Sequence, residues 1–233
     1  VADAEKMQTK AENLGFSIWA RYKLHTDINK SFSVGIASSL VKIRANNIQT
    51  STKFSAVNME SGRNEYESAQ VVVVGLVDKT PKVKVSGSDL NSKDGRIPAS
   101  NWELGLVKNV KVDNNEWPDP IWPNSVFSLG KGETQVVWAS VIIPATAKPG
   151  TYTGSLTVSS GSGQKVTIPV KLLVHNFVLP TKSNLQTSFW VFRQMLESHY
   201  AVKGDAPFSL YSKFLDMALQ HRLTPIDACE GSS

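Results

Sequence analysis

Residues 134–177 read TQVVWASVIIPATAKPGTYTGSLTVSSGSGQKVTIPVKLLVHNF. Three runs in this stretch, Thr134 to Ile143, Thr151 to Ser159 and Lys165 to Phe177, are rich in β-branched residues and interleave apolar with polar positions. That pattern puts successive side chains on opposite faces of a strand. Lys148-Pro149-Gly150 and Ser159-Ser-Gly-Ser-Gly163 separate the runs and supply the residue types that tight turns require. The stretch therefore predicts consecutive strands with one buried face each.

The same texture extends towards the N-terminus. Phe16 to Tyr22, Phe32 to Ile36, Lys53 to Val57, Ala69 to Val77, Val83 to Val85 and Glu103 to Val112 read as further strands. Asn91-Ser-Lys-Asp-Gly95 and Asn114-Asn115 mark turns between them. Val71 to Val74 is apolar at every position, which predicts a strand covered on both faces. About nine short strands with frequent turns predict a mostly β protein, a two-sheet antiparallel β-sandwich over 16–180. Residues 1–15 are polar and read as an arm or short helix before it.

The pattern changes near Leu179-Pro-Thr-Lys-Ser183. Leu185 to Phe192 reads as a strand. A helix follows, capped by Asp205 or Ser209, with Tyr211, Phe214, Leu215 and Ala218 on one face. Leu223 to Ala228 reads as a second strand. Strand, helix, strand is a βαβ unit, whose crossover makes the strands parallel. Such a unit, 181–233, cannot bury both of its faces alone.

Composition narrows the classes of function. Of 233 residues 41% are hydrophobic and 19% charged, the balance of a folded β-rich chain. The net charge of +5 comes from lysines scattered along strands, such as Lys82, Lys84, Lys108 and Lys171. Nucleic-acid binding needs clustered cations and is not expected. With one cysteine, Cys229, and four dispersed histidines, no intramolecular disulfide, zinc cluster or other cofactor site is expected. No run of about 18 apolar residues predicts a membrane span. The opening Val-Ala-Asp-Ala, without Met, fits a mature exported chain, secreted or periplasmic, or a piece of something longer.

The sequence contains no Gly-x-Ser-x-Gly elbow, phosphate loop, dinucleotide fingerprint or His-Glu-x-x-His helix. Trp117-Pro-Asp-Pro-Ile-Trp122-Pro123 reads as a stiff aromatic loop, suited either to stacking on sugar rings through Trp117 and Trp122 or to packing against a neighbouring domain. Glu65 and Glu67 share one side of an extended segment. A strand start offers them no cleft for paired acid and base work, so Arg63 and Glu65 are expected to pair or to cap exposed backbone.

Four pieces carry a resemblance. Ser61-Gly-Arg-Asn-Glu-Tyr-Glu-Ser-Ala-Gln70 resembles the Ala-Arg-Asn-Glu-Tyr-Glu-x-x-Gln signature in the N-terminal domain of glycoside hydrolase family 123-like proteins. Trp117-Pro-Asp-Pro-Ile121 resembles the family's Tyr-Pro-Asp-Pro-Leu. Ile143 to Gly154 resembles its Pro-x-x-Ala-x-Pro-Gly-x-Tyr-x-Gly, and Ile168 to Pro180 its exit from the sandwich. The resemblance implies a sandwich leading into a (β/α)₈ barrel that hydrolyses terminal N-acetylgalactosamine linkages. It also implies an adjacent Asp-Glu pair in the barrel, the Asp orienting the sugar's acetamido group and the Glu protonating the leaving oxygen.

In these 233 residues no Asp stands next to a Glu, so no catalytic residue carries over. A barrel needs about 250 residues, and only about 50 follow Pro180. The expectation is a non-catalytic sandwich with the first βαβ unit of a truncated barrel, inactive on its own and completed by the remainder of the barrel or another subunit. In a completed barrel, Trp190 and Arg193 after the first strand, and Asp227 and Glu230 after the second, would face a glycan in the pocket. Two alternatives stay open: a structural or assembly module, and a carbohydrate-binding module acting through Trp117 and Trp122.

Overall fold

The computed structural model describes residues 2–24, 26–27, 29–44, 56–113, 115–200 and 206–226, in two units, Val1–Val178 and Leu179–Ser233. In the first unit, strands numbered in chain order form two sheets. One is five-stranded, in the order β1 (Phe32–Ser38), β3 (Glu65–Gly75), β10 (Thr134–Ile143), β7 (Trp102–Val112) and β8 (Asn115–Trp122). The other runs β2 (Val57–Arg63), β12 (Lys165–Val178), β11 (Gly150–Ser159), β4 (Thr80–Gly87) and β9 (Val126–Leu129), with the short β5 (Leu90–Asn91) beside β11 and β6 (Arg96–Ile97) beside β5. The sandwich is thus present. It is not purely antiparallel, because β2 pairs in parallel with β12, Val170 opposite Val57 and Leu172 opposite Met59.

The valine run explains the layers. Val71 and Val73 point into the core between the sheets, with Phe32, Tyr152, Leu156, Ile168 and Leu172, all with no exposed surface. Val72 and Val74 point the other way, into a second cluster with Ala20, Leu24 and Val136. The cover on that side is a helix, α1 (Ala2–Lys23). It extends through Phe16 to Tyr22, where the alternation predicted a strand. Its buried positions are Ser17, Ala20 and, just beyond its end, Leu24, which is helical spacing, while Ile18 and Tyr22 face outward. Two periodicities overlap in this segment. The apolar sheet face at Val72, Val74 and Val136 selects the helical one, since it needs an amphipathic cover.

A second correction concerns 117–122, expected as a loop. Trp117 to Trp122 lie in β8, paired antiparallel with β7. Pro118 and Pro120 have no N–H for a ladder, and β8 tolerates them because it is the edge of the sheet. The register shifts by one residue between Val107 and Asn109, a bulge at the prolines. Of the expected strand Lys53 to Val57, residues 53–55 lie outside the described residues, and the strand there is β2, starting at Val57. The expected turn residue Asn114 also lies outside them.

In the second unit a two-stranded sheet pairs β13 (Phe189–Trp190) in parallel with β14 (Pro225–Ile226). The crossover holds two helices, α2 (Arg193–Tyr200) and α3 (Ala206–Gln220). The expected βαβ order is present with shorter strands and an additional helix. Ala218 is buried, and Tyr211, Phe214 and Leu215 are half-buried, so the predicted α3 face holds. Asp205 lies outside the described residues. Thr187 and Thr224 extend the parallel pair reciprocally: each backbone N–H donates to the other's Oγ1, at 3.2 and 2.7 Å.

Candidate functional site

The signature residues have roles that can be read one at a time. Between β2 and β3 a single residue, Asn64, with φ of 59°, turns the chain from one sheet into the other. Glu65 fastens this turn: its Oε2 accepts the Gly62 N–H at 2.6 Å and the Ser61 hydroxyl at 3.1 Å. The carboxylate is therefore committed to capping backbone, as expected. The alternative pairing with Arg63 is not formed among the described residues, and Arg63 Nε is buried there without a partner. Glu67 is half-buried, and loss of solvation, reinforced by the nearby Glu65 charge, raises its carboxyl above the ordinary value despite the Ser68 N–H.

Gln70 is buried, on the outer face of the five-stranded sheet, in the row with Trp138 and Gly105. Its Nε2 donates to the carbonyls of Ser38 and Val41, both at 2.7 Å, and ties down the turn after β1. In the Pro149-Gly-x-Tyr-x-Gly154 piece, Tyr152 donates its hydroxyl to the Lys148 carbonyl at 2.8 Å from inside the core. Gly154 lies so close to Asp89 that an added Cβ would come within 2.4 Å of its carbonyl oxygen. Asp89 binds Arg96 at 2.7 Å and the Ala99 N–H at 2.8 Å, and these contacts hold its carboxyl below the ordinary value.

The residues proposed to meet a glycan fall into separate groups. Trp117 and Trp122 lie on β8, both partly exposed, with the Arg44 guanidinium 4.4 Å from the centre of the Trp117 ring. The bulge between them leaves Trp117 opposite Val110 and Trp122 opposite Leu106, four residues apart on β7, so they occupy the same face of the ribbon. In the second unit Trp190 is exposed on β13. Its Nε1 donates to Ser188 Oγ at 2.8 Å, and its ring meets Phe192 edge-on at 5.6 Å. Arg193 opens α2 and is half-buried. Asp227 and Glu230, like Cys229, lie outside the described residues.

Parallel pairing puts the C-terminal ends of β13 and β14 side by side, with the Val191 N–H donating to the Ile226 carbonyl at 3.1 Å. Trp190 and Arg193 stand at that end. The cleft of about 520 Å³ in the same unit is lined by Thr181, Lys182, Ser183 and Gln186, which precede β13, and by Asp216, Leu219 and Gln220 of α3 with Arg222 to Thr224, which precede β14, so it opens at the N-terminal end of the two strands. In α/β barrels chemistry is built at the other end. Among the described residues no cluster of His, Cys, Asp and Glu could hold a metal ion, and no helix is long and apolar enough to cross a membrane.

Comparison with known proteins agrees with this architecture. Residues 41–160 match the family model described as the glycoside hydrolase 123 N-terminal domain. No curated protein matches the sequence. Among solved structures, a family 123 glycoside hydrolase from Clostridium perfringens, studied for glycolipid glycan hydrolysis, superposes with a TM-score of 0.73 at 18% identity. The match covers 82% of this chain and 37% of that one, so the present chain spans well under half of the enzyme's length. A sporulation control protein, Spo0M, from Bacillus subtilis gives a TM-score of 0.34 at 9% identity, covering 65% of this chain and 51% of that one, too low to bear on the fold.

Proposed function

Since the chain belongs to the family of the glycoside hydrolase 123 N-terminal domain, we propose that it is the non-catalytic sandwich part of an exported, N-acetylgalactosaminidase-like protein, with the first βαβ unit of a (β/α)₈ barrel attached. The observation that carries this reading is the parallel β13–β14 pair with its helical crossover, directly after a sandwich of this family. Parallel strands need cover on both faces and further partners at both edges. Phe189, Trp190 and Ile226 are exposed, as the start of a larger sheet requires.

The remaining strands come from further sequence or from another subunit, and the Asp-Glu pair of the substrate-assisted reaction comes with them. In the completed barrel Trp190 and Arg193, together with Asp227 and Glu230, border the sugar, because Trp190 ends β13, Arg193 comes just after it, and Asp227 and Glu230 come after Ile226 in the sequence. Intact mass of the native polypeptide tests the reading. A mass well above 25.5 kDa, or a stable complex with a second chain that supplies the pair, supports it. A free chain of 25.5 kDa without such a partner contradicts it.

The exposed apolar residues Phe208, Met217 and Leu219 on α3 favour a second reading, a non-enzymatic module that associates with copies of itself. Light scattering separates the two. A self-associated chain without hydrolytic partners supports the second, and a monomer at high concentration removes it.

A further inference from the structure

The outer face of the five-stranded sheet is only partly covered by α1. Beyond Val72 and Val136 the next row across the sheet is Gln70, Trp138 and Gly105. A cleft of about 180 Å³ opens over this row, walled by Leu40 on one side and Ile121 on the other, with Lys42 and Asp119 at its rim. Gly105 makes the wall possible: a Cβ there would lie 2.3 Å from Ile121 Cγ2, so only glycine lets the β8 side chain lean over β7 beside Trp138.

The polar groups of the cleft are unevenly used. Gln70 is 3% exposed, and both of its N–H hydrogens are spent on Ser38 and Val41. Its Oε1 accepts no hydrogen bond among the described residues, and the side chain lines the cleft. An amide carbonyl that lines a cleft takes its donor from water or from a ligand hydroxyl. At the rim Lys42 Nζ binds Asp119 Oδ1 at 3.1 Å and the Pro118 carbonyl at 2.9 Å. This pair offers donors and acceptors together while its charges cancel.

We infer that this cleft is a binding site for a single neutral sugar ring. The ring's C–H face lies on Trp138 and Ile121, one hydroxyl donates to Gln70 Oε1, and others exchange hydrogen bonds with Lys42 and Asp119. An alkyl ligand would leave the Gln70 acceptor unpaired, and a charged one would find the rim already neutralised. The cleft has room for one ring and not for a chain. This site lies within the sandwich and does not depend on how the barrel is completed.

Saturation-transfer NMR on the whole chain tests the inference, with the methyl glycosides of N-acetylgalactosamine, galactose, glucose, mannose and N-acetylglucosamine as probes. At least one ring receives saturation, and its affinity falls by about tenfold in Asp119→Ala and in Trp138→Phe, as expected for one lost polar or stacking contact. Lys171→Ala, at an exposed position of β12 in the other sheet, leaves it unchanged. Asp119 is exposed, so its variant folds even where Trp138→Phe is destabilised, and circular dichroism checks both. Absence of saturation for all five rings overturns the inference. So does binding that survives both cleft variants, binding lost in Lys171→Ala instead, or a cleft blocked by self-association of the chain.

Discussion

Tyr152 shows how one side chain can account for a motif. Its ring has no exposed surface and its hydroxyl reaches the Lys148 carbonyl at 2.8 Å, closing the Pro149-Gly150 turn from within. Tyr152→Phe keeps the packing and leaves that carbonyl without its donor. Urea denaturation is expected to show a loss of about 1 kcal/mol with an unchanged m-value. Glu67 acts in the opposite sense. Its raised pKa means that ionisation is harder in the folded chain than in the unfolded one. The penalty is complete above the folded pKa, shrinks as pH falls through it, and is gone below the ordinary value of 4.5. Glu67→Gln is therefore expected to raise the Tm at pH 7 and to leave it nearly unchanged near pH 4, a difference that thermal scans at the two pH values measure. A Tm rise that is equal at both would show that charge is not the cause.

At the scale of elements, legibility followed how many periodicities a segment permits. β10, β11 and β12 were readable because their alternation has a single interpretation and their turns carry Pro and Gly. The segment 16–22 was not, because Phe16, Ile18, Ala20 and Tyr22 alternate while Ser17, Ala20 and Leu24 follow a helical repeat. Only the uncovered face of β3 and β10 decides between them, and that face is set by residues more than 40 positions away. β8 differs from the expected loop for another reason. Its prolines argue against a central strand, and an edge position is a property of the assembled sheet. α2 has little sequence signature because its eight residues are few for a periodic signal. If α1 is the cover that holds the outer face dry, Ala20→Glu puts an unpaired charge at a site with no exposed surface. The expected cost is roughly 3 kcal/mol, with loss of helical signal at lower denaturant than the sheet signal. Coincident loss of both signals at the original midpoint would contradict the role given to α1.

For the whole molecule, the two units differ in what they bury. Among the described residues both hydrophobic clusters lie in the first unit, and the second unit presents Phe189, Trp190, Phe208 and Met217 to solvent. That asymmetry was visible in the sequence as a βαβ pattern lacking further strands. The candidate site was legible only in part. Trp190 ends β13 and Arg193 comes just after it, positions that a strand pattern alone can indicate, whereas the Gln70 cleft forms from β3, β7, β8, β10 and the turn after β1, and no local pattern announces such a convergence. The most direct test of the account is incubation of this 233-residue chain with an aryl N-acetylgalactosaminide. The account predicts no aryl release above background at any protein concentration, because the chain lacks an adjacent Asp-Glu pair. Release that rises with protein, persists through purification to homogeneity and disappears in Trp190→Ala or Arg193→Ala would contradict it.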